Sequence, residues 1–203
     1  MKRNLAFIVL CALFFPLRSF CQGETFTAKL VLNENPATKY YLEHPFEILY
    51  GPDDSLWVNT RRGIVYKIDP ASGNRRTILD ISNFVKFTTS VSGGVVTGIS
   101  QDGMMGMALH PDYPTVDSFF VAYAVTGTYK VRIARYRITN SKITTRTNET
   151  IILDGIPVNT YHSSGRLIVG PDRKLYYSCG TQGANQFAYS CNKNRAQNLP
   201  NYS

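Results

Sequence analysis

Short apolar or alternating runs separated by tight polar turns dominate the chain, and one arrangement of them occurs three times. Residues 46–50, 104–109 and 167–169 are each followed by a Pro-Asp turn and then by a second apolar run. Proline fixes the first φ angle of such a turn, and aspartate can hydrogen-bond to its own backbone. Each of the three segments is therefore predicted to be a strand, a tight turn and a second strand.

The three turns recur at a nearly constant period. Their prolines are Pro52, Pro111 and Pro171, so the spacings are 59 and 60 residues. Further strands are predicted between the hairpins, at residues 63–68, 75–79, 130–138 and 150–153. That pattern gives about four strands in each repeat, which is the content of a propeller blade. We expect an all-β fold of the β-propeller type, with a β-sandwich whose turns happen to recur as the alternative.

The first 21 residues have the pattern of a secretory signal peptide. Lys2 and Arg3 precede an apolar run over residues 5–15, which is too short to cross a bilayer comfortably, and small residues precede a cleavage point after Cys21. We expect export to the periplasm or the exterior, with no stable membrane span after cleavage. The alternatives are an uncleaved anchor and, less in keeping with the neighbouring residues, a lipoprotein attached through Cys21.

Three segments follow from these patterns. Residues 1–21 are the expected signal peptide, residues 22–44 a first strand (25–32) and a loop, and residues 45–203 the propeller. Propellers close with about four to eight blades, whereas these repeats supply about three. We therefore expect the chain to be the front part of a longer protein.

Charge and cysteine content narrow the possible partners. The formal net charge of +8 falls to +5 when the three cations of the signal peptide are removed. The remaining excess is scattered and does not alternate with an aromatic platform, so no nucleic-acid site is expected. Cys179 and Cys191 would be the cysteines left, and in an exported chain they could pair. A zinc site is not expected, because no CxxC accompanies them.

Two polar loops frame the third hairpin and form the candidate site. His162 lies among small polar residues and glycine at 161–166, and residues 180–186 form a second loop of small residues. Loops on a rigid strand scaffold commonly carry function, and a neutral imidazole can accept a proton. From the residues alone, a structural histidine remains the alternative. His44 and His110 precede prolines in turns and are interpreted as structural.

Four segments, taken together and in order, resemble the soluble PQQ-dependent glucose/sorbosone dehydrogenases, also called aldose sugar dehydrogenases. They are residues 45–53 with 56–58, residues 101–112, residues 162–172, and residues 180–186 with 194–200. The resemblance implies a six-bladed β-propeller, of which about three blades are present here, with PQQ and calcium at the mouth of its channel. It also implies oxidation of an aldose sugar at the anomeric carbon to its lactone, with electrons passing to an external acceptor.

The resemblance also assigns roles to residues. It implies that His162 is the general base and that Gln101, Gln186 and Tyr161 contact the substrate. An amide both donates and accepts hydrogen bonds, which suits a polyhydroxylated ligand. The ligands of PQQ and calcium are expected in later blades. Asp102 is interpreted as a turn former rather than a calcium ligand, Arg166 as an ion-pair or strand-edge residue, and Trp57, Tyr176 and Tyr177 as core residues.

Thr181 departs from the family pattern, because it stands where a carboxylate commonly orients the imidazole. Its hydroxyl can accept a hydrogen bond but supplies no charge to stabilise an imidazolium. This departure and that at Tyr161 keep a second function open, a non-catalytic propeller segment that binds carbohydrate or a protein partner. A third possibility is a chain that does not fold alone.

Overall fold

The computed structural model describes residues 27–29, 31, 42–93, 95–140, 142–158, 160, 162–163 and 165–180. The chain divides into two compact units, Met1–Leu30 and Val31–Ser203, and all strands described below belong to the second. Within the described residues, the regular structure is β apart from a short 3₁₀ helix at Ser82–Phe84. No helix in those residues is long and apolar enough to cross a membrane.

The predictions for the N-terminal region fall mostly outside the described residues. The expected signal peptide at 1–21 lies wholly outside them. Of the strand expected at 25–32, positions 27–29 and 31 are described, and none of them is in a strand. The loop that follows is described only from residue 42 onward.

Two four-stranded antiparallel sheets and two hairpins make up the described structure, and in each of them consecutive strands pair. The first sheet contains β1 (Pro45–Tyr50), β2 (Leu56–Thr60), β3 (Ile64–Ile68) and β4 (Arg75–Asp80). A hairpin of β5 (Thr89–Ser92) and β6 (Val95–Ile99) follows. The second sheet contains β7 (Met104–Leu109), β8 (Ser118–Ala124), β9 (Lys130–Arg137) and β10 (Glu149–Pro157). The last hairpin is β11 (Leu167–Val169) with β12 (Leu175–Tyr177).

All three hairpins predicted from the Pro-Asp turns are present, as β1–β2, β7–β8 and β11–β12. Each of the first two repeats contains a four-stranded sheet, as expected, and the first repeat contains the β5–β6 hairpin in addition. The β5–β6 hairpin was not predicted. Its strands are short and partly polar, and they lie between the two sheets in the chain.

Strand β7 is apolar without interruption because both of its faces are buried. Met104 and Met107 pack into a cluster shared with the first sheet, which contains Trp57. Met105 and Ala108 pack on the opposite side, in a cluster that includes Leu167 of the third hairpin. A register shift between Met104 and Met107 marks a β-bulge, which fits one extra residue into β7. The run therefore reads as a strand buried on both faces rather than an alternating one.

Gly106 lies where β7 comes closest to the third hairpin. A Cβ atom at this position would be 2.3 Å from the Leu167 backbone nitrogen and 2.8 Å from the Arg166 carbonyl carbon. Real Cβ atoms do not approach backbone so closely, so only glycine fits here without movement of the neighbouring chain. The start of β11, which ends the loop carrying His162, is thus seated directly on β7.

The first Pro-Asp turn is joined to the second and the second to the third, and we call these two contacts the turn clasps. In the first clasp, the Tyr113 hydroxyl donates to Asp53, which also pairs with Lys67. In the second clasp, the Arg173 guanidinium donates to both carboxylate oxygens of Asp112, with Nη1 3.0 Å from Oδ1. The partners are 60 and 61 residues apart, which matches the repeat period.

Candidate functional site

Two loops that lie 61 residues apart in sequence meet at the candidate site. The Gln101 backbone N–H donates to the Thr160 carbonyl at 2.7 Å. In return, the Gln101 side-chain oxygen Oε1 accepts from the His162 backbone N–H at 2.6 Å. One loop leads into β7 and the other into β11. The fold therefore brings together Gln101 and His162, which the family resemblance assigned to one site.

The His162 loop has an unusual backbone. His162 has a φ angle of 56°, in the left-handed region that non-glycine residues seldom adopt. The hydrogen bond from its N–H to Gln101 helps to hold this conformation. His44, Asp54 and Arg173 share this conformation, the last two in Pro-Asp turns, so the angle by itself marks a tight loop rather than a function.

Gly165 closes the loop against an aromatic ring. A Cβ atom there would lie 2.3 Å from the Tyr177 hydroxyl oxygen and 2.5 Å from two of its ring carbons. The Tyr177 hydroxyl is buried, and burial is the main reason that its pKa is raised. The loop thus rests on the Tyr177 side chain of β12.

A buried charged cluster lies immediately beside Gln101. Asp102 is fully buried, and its carboxylate accepts hydrogen bonds from the Lys86 ammonium and the Ser100 hydroxyl. Its backbone carbonyl accepts from the Arg61 guanidinium, with Nε at 2.9 Å. Burial lowers the pKa of Arg61, and the negative charge of Asp102 opposes that effect. We call these four residues, with Asp102 at the centre, the Asp102 cluster.

Asp102 is more than the turn former that was expected from the sequence. Its carboxylate is engaged by a cation and a hydroxyl inside the protein. Among the described residues, no group of three or more histidines, cysteines and carboxylates is placed to hold a metal ion.

Three of the residues expected in the site, Tyr161, Thr181 and Gln186, lie outside the described residues. So does Cys191, while Cys179 is exposed. A cleft of about 320 Å³ lies next to Gly165 and is lined by Phe46, Glu47, Gly165, Arg166, Ser178 and Cys179. It is bounded on one side by an ion pair between Arg166 and Glu47, 3.6 Å apart, so the ion-pair interpretation of Arg166 agrees with the structure.

The other residues singled out from sequence take mainly structural positions. Trp57 is fully buried in the core. His110 stacks on Phe120, with ring centroids 6.1 Å apart, and its Nδ1 accepts from a backbone N–H in its own turn. Tyr176 differs from the expectation of a core residue, because 52% of its surface is exposed. It lies in the two-stranded β11–β12 hairpin, and its hydroxyl donates to Asp172 at 2.8 Å.

A family model described as Glucose / Sorbosone dehydrogenase matches residues 42–201. The chain belongs to the glucose/sorbosone dehydrogenase family. The matched region contains both site loops and every described strand. The membership inferred from four sequence segments is therefore confirmed.

Individual proteins of known sequence or structure are also similar to this chain. Quinoprotein glucose dehydrogenase B of Acinetobacter calcoaceticus is 30% identical over 192 residues, a match that covers 88% of this chain and 36% of that protein. A PQQ-bound aldose sugar dehydrogenase from Streptomyces coelicolor superposes with a TM-score of 0.56 at 23% identity, over 70% of this chain and 40% of that one. A putative oxidoreductase (glucose dehydrogenase) from Thermus thermophilus gives a TM-score of 0.51 at 24% identity, over 69% and 38%.

These likenesses place the chain in the β-propeller fold of the family and set the β-sandwich alternative aside. The chain spans less than half the length of each of these relatives. The consecutive pairing of four antiparallel strands in each of the two larger sheets is that of a propeller blade.

Sequence reasoning missed the Asp102 cluster as a unit. Lys86 and Arg61 are 16 and 41 residues from Asp102 and carry no local motif. The available signal was Gly103, whose φ angle is 111° and whose added Cβ would lie 2.5 Å from the Arg61 carbonyl oxygen. A glycine required at that point indicates a close backbone approach directly after Gln101 and Asp102.

Proposed function

We propose that the chain serves the PQQ-dependent oxidation of an aldose sugar at its anomeric carbon, giving the lactone. The observation that carries this proposal is the contact of Gln101 with the His162 loop. Two hydrogen bonds join the loops that carry Gln101 and His162: the Gln101 side chain accepts from the His162 backbone N–H, and the Gln101 backbone N–H donates to the Thr160 carbonyl. Membership of the glucose/sorbosone dehydrogenase family supports the reaction class.

His162 acts as the general base in this proposal. Its imidazole, in the neutral form, accepts the proton of the anomeric hydroxyl as the carbon–oxygen double bond forms. Gln101 keeps the His162 backbone in place through Oε1, and its amide nitrogen is the group that would donate to a sugar oxygen. Gln186 and Tyr161 are proposed as further sugar contacts, and Thr181 as the residue that orients the imidazole.

The described residues do not by themselves form a site for PQQ or calcium. Calcium needs about six to eight oxygen ligands, and the described residues offer no carboxylate cluster of the kind such a site requires. PQQ is a tricarboxylate, yet Arg61 and Lys86, the cations beside Gln101, are both engaged by Asp102. We therefore assign no residue of this chain to the cofactor, which when bound accepts the hydride from the sugar.

The test uses protein expressed from the intact gene and loaded with PQQ and calcium, with dye reduction measured for a panel of aldoses. His162→Gln should lower kcat by about 10²- to 10⁴-fold, the usual effect of losing a general base. His110→Gln is the matched control. His110 lies in the β7–β8 turn and stacks on Phe120 of β8, so this variant should leave kcat unchanged. Absence of PQQ-dependent turnover in the wild-type protein would overturn the proposal, as would equal effects of the two variants.

A second candidate function is a propeller segment that binds carbohydrate or a protein partner without catalysis. Thr181 favours it, because a hydroxyl at this place cannot stabilise an imidazolium as a carboxylate does. Calorimetric titration with an aldose in the absence of PQQ distinguishes the two. Sugar binding without cofactor, together with no turnover when PQQ is present, would favour the binding function.

Export and an external electron acceptor complete the proposal. The basic and apolar pattern of residues 1–21 supports export, and a periplasmic or extracellular enzyme would pass its electrons to an acceptor outside the cytoplasm. N-terminal sequencing of the protein recovered from the medium or periplasm tests this part, with a mature start at Gln22 as the expected result.

A further inference from the structure

Gln101 lies between Ser100 and Asp102 in the chain, and the buried carboxylate of Asp102 accepts a hydrogen bond from the Ser100 hydroxyl. On one side, the Ser100 N–H donates to the Thr88 carbonyl at 2.8 Å, and the Ser100 hydroxyl accepts from the Thr88 N–H at 2.9 Å while donating to Asp102. On the other side, Asp102 binds Lys86 through its carboxylate and Arg61 through its carbonyl. The backbone at 100–102 is thus held at three successive positions.

The segment that follows is fixed as well. The Gly103 carbonyl accepts from the Ala124 N–H at 2.9 Å, and the Met104 N–H donates to the Arg61 carbonyl at 2.9 Å. Within this fixed segment, the exposed side chain of Gln101 reaches the other loop. Its Oε1 accepts a hydrogen bond from the His162 backbone N–H, so a displaced Gln101 side chain would weaken that bond.

A buried ion pair is a costly way to stabilise a fold. Desolvation of two charges commonly offsets their attraction, and apolar residues of the same size would serve as well. Asp102 is fully buried and only 17% of the Lys86 side chain is exposed. What a carboxylate offers, and an apolar side chain does not, is several directional hydrogen bonds from one point. That property suits a group that sets the geometry of its neighbours.

We propose that Asp102 is a positioning residue, which holds Gln101 in the place where its side chain supports the His162 loop. The geometric part of this proposal concerns only the protein. Its consequence for catalysis rests on the proposed function, in which His162 is the base. Loss of the carboxylate should release Ser100 and Lys86, widen the range of Gln101 positions and weaken the acceptor of the His162 N–H.

The test is hydrogen exchange of the His162 backbone amide, followed by ¹⁵N NMR on the full chain without cofactor or sugar. Asp102→Asn keeps the side-chain size but removes the charge, and Ser100→Ala removes only the hydroxyl donor. Each variant should accelerate exchange of the His162 amide, by about fivefold if one net hydrogen bond is lost. Gln101→Ala removes the Oε1 acceptor of the His162 N–H. Its exchange rate at His162 is therefore the upper limit expected for the other variants.

Two references separate positioning from general destabilisation. The amide of Val121, in the middle of β8, reports opening of the second sheet. Asp112→Asn is the control variant, because it breaks the clasp with Arg173 and leaves the Asp102 cluster intact. Faster exchange at His162 with Val121 unchanged, in Asp102→Asn or Ser100→Ala but not in Asp112→Asn, supports the proposal.

Unchanged exchange at His162 in Asp102→Asn and Ser100→Ala overturns the proposal, and so do equal increases at His162 and Val121. If Asp102→Asn does not fold, Ser100→Ala decides alone. Because this readout needs neither PQQ nor sugar, a failure of the proposed function leaves the exchange result interpretable. Where turnover is found, Asp102→Asn should raise KM for the sugar, whereas Asp112→Asn should not.

Discussion

Gly106 is a position at which a small change should have a large effect on the described fold. Alanine adds a single methyl group, which would lie 2.3 Å from the Leu167 nitrogen and 2.8 Å from both the Leu167 Cβ and the Arg166 carbonyl carbon. Favourable contacts between heavy atoms lie at about 3.5–4.0 Å, so the methyl would be well inside contact distance of all three atoms. Two of the three neighbours are backbone atoms, which cannot rotate away.

The expected destabilisation follows from that overlap. Adding methyl groups to a packed core costs about 1–3 kcal/mol, and a site enclosed by backbone should be at the upper end of this range, near 3 kcal/mol. Relief requires that β11 move away from β7, because both faces of β7 are packed. Arg166 and Leu167 end the His162 loop, so such a movement would also disturb the candidate site.

The assay is equilibrium urea unfolding followed by the fluorescence of Trp57, which is the single tryptophan and is fully buried. With a urea m-value of about 1–3 kcal/mol/M, Gly106→Ala should lower the midpoint by about 1 M or more. Gly98→Ala is the matched control. Its added Cβ would lie 3.6 Å from the Ser90 side chain, an ordinary contact, so no loss of stability is expected.

An unchanged midpoint for Gly106→Ala would refute the reasoning, because it would mean that β7 and β11 are not in the close contact described here. An equal loss in Gly98→Ala would refute it as well. In that case the effect would come from replacing any strand glycine rather than from the backbone approach at Leu167.

Three further predictions concern hydroxyls and carboxylates. Tyr113→Phe removes the donor to Asp53 and should lower the free energy of unfolding by about 1.5–3 kcal/mol, whereas no loss in urea unfolding would contradict the first clasp. Tyr177→Phe should leave stability unchanged or raise it by up to about 1 kcal/mol, because its buried hydroxyl finds no hydrogen-bond partner in the described part of the chain, and a clear loss would contradict this. Burial opposes ionisation of Asp53, but hydrogen bonds from Lys67 and Tyr113 outweigh it and hold the pKa of Asp53 below 3.8. A carboxylate whose pKa is lower in the folded than in the unfolded protein stabilises the fold at pH values above the unfolded-state pKa. This contribution is lost as the pH falls through the folded-state pKa. Wild-type stability should therefore fall more steeply than that of Asp53→Asn between about pH 5 and pH 2, and parallel curves would contradict the argument.

The three principal hairpins could be predicted because their turn chemistry is local. Proline at 52, 111 and 171 and the aspartate after it determine each turn without help from the rest of the chain. The β5–β6 hairpin had a weaker signal. Gly93 has a φ angle of 57°, and a Gly-Gly pair, here between Ser92 and Val95, is itself a hairpin pattern. The polar residues in the strands on both sides of that pair obscured it.

The candidate site was predictable by residue but not by contact. His162 and Gln101 were selected from sequence, yet no spacing within either loop shows that the Gln101 side chain accepts from the His162 N–H. The Asp102 cluster was beyond reach for the same reason, because its members come from three separate segments of the chain. Long-range polar contacts depend on how the sheets pack against each other, and local sequence patterns do not predict that packing.

The two turn clasps differ in burial, and this difference bears on the order in which the protein opens. In the first clasp the Asp53 side chain is 17% exposed, whereas Asp112 and Arg173 of the second are 42% and 60% exposed. Ion pairs open to solvent contribute little to stability. The second clasp should therefore open before the first. Because Leu167 at the start of β11 stays packed against β7, the turn of the third hairpin can open without release of the strand that ends the His162 loop.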